Sequence, residues 1–112
     1  KEQVLMSISS RDFSFISEQN LSTILGHFAK ANIKINTMQN SAMTWTCCFD
    51  YHEEKLNQII AVLKPDFKVY YNESLSLVTL RHYNQASIDE ITQNKEVLIE
   101  QRSRNTVQLV LR

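Results

Sequence analysis

Gln39-Asn40-Ser41 is the run whose side chains are best suited to handling a small molecule. Two amides and a hydroxyl in succession offer neutral donors and acceptors. Amides are depleted inside strands. The run therefore reads either as a hairpin turn, which Asn and Ser suit, or as contacts for a small zwitterion. No reaction centre stands beside it. The chain has no Gly-rich phosphate loop, no nucleophile with an evident base and no carboxylates at a telling spacing.

Other polar groups have plainer readings. Cys47 and Cys48 are adjacent and are the only two cysteines. Strand neighbours point to opposite faces, so bridging them would demand unusual geometry. They are expected to be one buried and one surface thiol, both free, in a reducing cytoplasm. A metal-sensing domain of this size would carry Cys-x-x-Cys in its first loop, and this one does not. His27, His52 and His82 fall on three elements with no ligand spacing between them. Arg102 and Arg104 flank a turn, with Arg81 and His82 on the neighbouring strand. That group reads as an anion site, a solvated loop or a contact with another domain. RNA recognition would need basic and aromatic residues interleaved on central strands. Here Trp45 and Phe49 alternate with Cys and Thr.

The elements that hold these residues follow from periodicity. Val4–Ser9 is a strand with Val4, Met6 and Ile8 on one face. A loop over 10–16 follows, in which Phe13 and Phe15 are expected to anchor against a core or a partner subunit. Ser17 is a helix N-cap with Glu18 in the first turn. Leu21, Ile24, Leu25 and Phe28 then make the apolar stripe of a helix ending near Asn32. The next strand has Ile33, Ile35 and Thr37 on one face and Lys34, Asn36, Met38 and Asn40 on the other. A tight reversal leads to a strand in which Met43, Trp45, Cys47 and Phe49 alternate with Thr44, Thr46, Cys48 and Asp50. Asp50 with Glu53 resembles a capping box for a second helix carrying Leu56, Ile59, Ile60 and Leu63, which Pro65 stops. Phe67, Val69 and Tyr71 make a fourth strand.

The order β-α-β-β-α-β, with one apolar stripe on each helix, predicts a ferredoxin-like α+β unit, its helices covering one face of an antiparallel sheet. Beyond Asn72-Glu73-Ser74 the pattern restarts. Leu75–Leu80 is a strand, Ser87-Ile88-Asp89-Glu90 a capping box for a short helix, and Val97–Glu100 with Val107–Leu111 a hairpin. This second β-α-β-β looks like a truncated repeat, so the expected units are 1–74 and 75–112. The second must complete its core against the first or against another chain.

A formal net charge of zero gives no general attraction to phosphate backbones or anionic membranes. The 43% hydrophobic content suits a compact domain. No apolar run is long enough to span a bilayer. The chain begins at Lys1 and stops at Arg112 inside a strand, and is expected to be part of a longer protein.

The doubled β-α-β-β pattern resembles tandem ACT domains, the small modules that bind amino acids in metabolic enzymes. Phe28-Ala29-Lys30-Ala31-Asn32-Ile33-Lys34-Ile35-Asn36, followed by Met38-Gln39-Asn40-Ser41, resembles the regulatory region of aspartate kinases. Leu77–Leu80 and 97–112 are similar to the strands of that region's second module. The resemblance implies an effector site between two copies of the first module, in a homodimer. Ser14, Phe15, Ile16, Ser17 and Asn20 would lie on one side, and Ile35, Asn36, Gln39, Asn40 and Ser41 of a partner on the other. A helix start suits the effector's carboxylate and side-chain carbonyls its ammonium. The implied effector is lysine or threonine. No catalytic residue is expected within the chain, and ATP and Mg are expected only for an absent kinase domain. Many ACT modules carry Asp-x-Pro-Gly in the first loop, where this chain has Arg11-Asp12-Phe13-Ser14. Asn36 stands where several members have Asp. A ligand-independent dimerisation module is the alternative.

Overall fold

A computed structural model describes residues 2–12 and 14–112. The expectation for Phe13 lies outside the described residues. Among the described residues, six strands and three helices follow in the order β1 (Gln3–Ser10), α1 (Glu18–Lys30), β2 (Ile35–Asn40), β3 (Thr44–Asp50), α2 (Glu53–Leu63), β4 (Phe67–Arg81), α3 (Gln85–Thr92), β5 (Val97–Arg102) and β6 (Thr106–Leu111). The strands form an antiparallel sheet ordered β2-β3-β1-β4-β6-β5. The first four strands with α1 and α2 are the ferredoxin-like unit that the periodicity predicts.

Local chemistry accounts for both ends of α1. The Ser17 hydroxyl accepts from Asn20 N–H at 3.1 Å. At the other end Asn32 turns left-handed at φ 58°. Asn32 N–H donates to Ala29 C=O and Ile33 N–H to Phe28 C=O, the paired bonds that satisfy a helix's last carbonyls. Gly26 sits on the exposed side of this helix with open space where a Cβ would stand. Gly26→Ala is expected to stabilise the chain by about 0.5–1 kcal/mol in urea denaturation, since glycine gives up more backbone freedom within a helix.

Among the described residues, three apolar layers hold the fold. Ile24 and Phe28 of α1 and Leu56, Ile59 and Leu63 of α2 pack on Val4, Met6, Ile8, Trp45, Cys47 and Phe49. Under α3, Ile88 covers Val107, Leu109 and Leu111. Between these lies an inner layer in which Leu5 and Cys48 of the first half meet Ile99 and Val110 of the second. The sheet therefore curls, and its two helix-free faces close on each other. The second half thus buries apolar surface against the first within one chain.

Several sequence expectations change in this context. The break expected at 72–74 is a bulge. Ser74 takes φ 61°, the β1–β4 register shifts beside it, and β4 runs on from one half to the other. A second register shift falls between Ile35 and Thr37. Ile35 packs towards the helices, while Thr37 pairs with Cys48 and bonds Gln101 in the inner layer, so the two do not share a face. The N-cap of α2 is His52, whose Nδ1 accepts from Lys55 N–H. Asp50 instead accepts from Gln3 and Asn36. The capping box of α3 is Asn84 with Ser87, so the helix starts earlier than its Ser87-Ile88-Asp89-Glu90 pattern suggests. Cys48 is fully buried, because its face meets Ile99 and Val110. Phe15 is 72% exposed and, among the described residues, anchors to no core.

Candidate functional site

The β1–α1 loop is shaped by short side chains bonding to nearby backbone. Ser10 Oγ donates to Ser14 C=O at 2.7 Å, Ser14 Oγ donates to Ser10 Oγ at 3.2 Å, and Ser14 N–H donates to Asp12 Oδ1 at 3.1 Å. The Ser14 hydroxyl, then its N–H, hold the Asp12 carboxyl below the usual carboxylate range. Arg11 donates to the carbonyls of Lys64 and Pro65, which ties the loop to the end of α2. Between this loop and the α2–β4 turn lies a cleft of about 400 Å³, lined by Ser10, Arg11, Asp12, Ser14, Asn20 and Asp66 among others. The N–H groups of Glu18 and Gln19 sit at the open end of α1, where a helix supplies no acceptor of its own.

The tip of the β2–β3 hairpin meets the same loop. Ile16 N–H donates to Ala42 C=O at 3.0 Å. Ser41 closes the hairpin: its N–H and hydroxyl donate to Thr44 C=O, and its hydroxyl accepts from Thr44 N–H. Gln39 and Asn40 are exposed on the edge strand beside it. One end of the sheet thus gathers Ser14, Phe15, Ile16, Ser17 and Asn20 with Gln39, Asn40 and Ser41.

Ile35 and Asn36 lie at the other end. Asn36 Nδ2 donates to Gln3 Oε1 at 2.8 Å and to Asp50 Oδ1 at 2.9 Å. Gln3 opens β1 whereas the loop follows Ser10, a separation of roughly 23 Å along the strand. Within one chain, then, these two residues stand apart from the other eight. Sequence reasoning missed Ser10, Asp12 and Asp66 on the cleft. Asp12-x-Ser14 carries a turn signal, but the approach of Asp66 depends on how α2 packs.

In the second half, Arg102 pairs with Glu100 at 2.5 Å and lies over the Tyr83 ring at 5.7 Å. Its charge is engaged locally.

No family model and no curated protein sequence matches the chain. Solved structures do. E. coli aspartokinase III in complex with lysine and aspartate matches at TM-score 0.75 and 16% identity over 97% of this chain. A putative C-terminal regulatory domain of aspartate kinase from Porphyromonas gingivalis W83 matches at 0.74 and 13%, covering 99% of this chain and 81% of that one. The ligand-free regulatory subunit of aspartate kinase from Thermus thermophilus matches at 0.67 and 11%, covering 98% and 82%. This chain spans 27% of the E. coli enzyme. It has the fold of aspartate kinase regulatory domains, as the sequence resemblance implies.

Proposed function

We propose that the chain is the amino-acid-sensing regulatory part of an aspartate kinase. The observation that carries this reading is a fold shared over 81–82% of two separately solved regulatory units, with an open cleft at the loop where the resemblance seats an effector. The units are 1–74 and 75–112. The parent transfers the ATP γ-phosphate, with Mg, to the side-chain carboxylate of aspartate in the cytoplasm. The sensing part takes up an end product, lysine or threonine, between two copies that meet through their first halves. The effector's carboxylate faces the start of α1, and its ammonium faces the side-chain oxygens of Gln39 and Asn40. Inhibition follows if the inactive arrangement binds the effector more tightly, by a coupling free energy of roughly 1–3 kcal/mol.

Calorimetry against all twenty amino acids tests this. Heat with lysine or threonine is the expected result, and Asn40→Ala is expected to weaken binding about tenfold, as for one lost hydrogen bond to a charged group. A folded dimer giving no heat with any amino acid contradicts sensing. The second reading, an assembly module without effector, is favoured by Asn36, whose amide is committed to Gln3 and Asp50. It predicts association indifferent to amino acids. An Asn40→Ala chain that loses effector response while associating normally excludes it.

A further inference from the structure

Gln101 belongs to β5, one edge of the sheet, yet its side chain serves β2, the other edge. The Thr37 hydroxyl donates to Gln101 Oε1 at 2.5 Å, and Gln101 Nε2 donates to the Met38 carbonyl. The ladder shows which way that carbonyl points. Ser41 N–H donates to Thr44 C=O across the hairpin. Antiparallel pairs alternate between bonded and non-bonded. Counting back along the register, Gln39/Thr46 and Thr37/Cys48 are bonded pairs, while Asn40/Trp45 and Met38/Cys47 are not. The N–H and C=O of Met38 therefore face away from β3, onto the open edge.

An open edge is a template for another strand, and proteins commonly protect it with charged side chains or proline. From Ile35 to Ala42 this chain has neither. Met38 at the centre is 46% exposed, and the chain's zero net charge sets up no general repulsion between copies. Two β2 strands laid antiparallel across a twofold axis are self-complementary.

We propose that Gln101 is a removable guard on this edge. While its amide holds the Met38 carbonyl, a second copy cannot lay its own β2 along the strand. When β5 withdraws, it can. The position of the second half thereby sets how readily copies pair. This rests on the reading that copies meet through the first half.

Sedimentation equilibrium of the 112-residue chain, with no amino acid added, tests it. Gln101→Leu keeps the volume and removes the amide. Two guards are lost per dimer, so the dimer Kd is expected to fall at least about tenfold. Thr37→Val frees Gln101 Oε1 and is expected to shift Kd the same way by a smaller factor. Met38→Pro costs no bond to β3, because the N–H it removes faces outward. Added to Gln101→Leu, it is expected to return Kd to the wild-type value or weaker. A folded Gln101→Leu chain with unchanged or weaker association overturns the guard, and Gln101→Met serves in its place if the leucine variant does not fold. If Met38→Pro does not reverse the tighter association of Gln101→Leu, the edge is not where copies meet and the proposal is overturned, whereas a chain that stays monomeric in every variant fails the underlying reading instead.

Discussion

Phe28→Ala is expected to remove about 3–5 kcal/mol of stability, the usual cost of truncating a fully buried aromatic. Phe28 is 1% exposed. Its ring meets Trp45 at 5.7 Å and Phe49 at 5.6 Å, both edge-to-face with planes at 76°, an arrangement that adds to simple burial. The side chain thus joins α1 to two positions of one strand. Domains of this length are stable by roughly 5–15 kcal/mol, so the variant is expected to be close to unfolding at 37 °C. Urea denaturation followed by far-UV circular dichroism checks it. A loss under about 1.5 kcal/mol would mean that α1 is not seated on the sheet as described. Because α1 also presents its start to the candidate cleft, the same variant is expected to lose the proposed effector binding.

The second large effect is a loss of stability in alkali. Burial, and for Cys47 the neighbouring Cys48, pushes the Cys47 thiol far up. Burial, with Asp50 nearby, pushes the Cys48 thiol up to about 11. In the unfolded chain both thiols ionise at the ordinary value, near ~8.5–9. Folded-state values above unfolded ones fix the sign. The thiols contribute their full stability below about pH 8.5. Above it the unfolded chain sheds protons that the folded chain keeps, and stability falls by about 1.4 kcal/mol per pH unit for each thiol. Near pH 11 the two together are expected to cost roughly 5–6 kcal/mol. The measurement is unfolding free energy against pH for the wild type and for Cys47→Ala/Cys48→Ala. The wild-type slope is expected to exceed that of the variant between pH 9 and 11, and equal slopes would contradict the burial of Cys48. At pH 8 the Cys48 thiol is expected to be alkylated more slowly than a free cysteine, because it is covered and keeps its proton.

Those two thiols also show where sequence reasoning reaches its limit. Alternation alone places Cys47 inward with Trp45 and Phe49. It places Cys48 on the opposite face, but whether that face is covered depends on the second half curling back over it. The same contact decides Thr37. A bulge of one residue in β2 sends its hydroxyl to Gln101, and nothing near Thr37 announces a partner 64 positions away. Elements set by local chemistry were legible: the Ser17 cap, the stripe of α1, the turn at Asn32 and the alternation of β3. Caps with competing candidates were not. Asp50 and Ser87 both suit an N-cap, yet Asp50 is held by Gln3 and Asn36, and Asn84 starts α3 one turn earlier. In the candidate site, the loop and the hairpin tip share one end of the sheet because β1 and β2 run up the same way and end there. The commitment of Asn36 at the opposite end required Gln3 and Asp50 to be brought together by pairing of β1 with β3.

The proposed sensing role is tested most directly by titrating the ¹⁵N-labelled chain with lysine, then threonine, and following backbone amide shifts. Saturable shifts at Ser14–Ser17, Asn20 and Gln39–Ser41 are the expected result, with one of the two amino acids acting at lower concentration. No shift at millimolar concentrations of either, or shifts confined to β5 and β6, would contradict it.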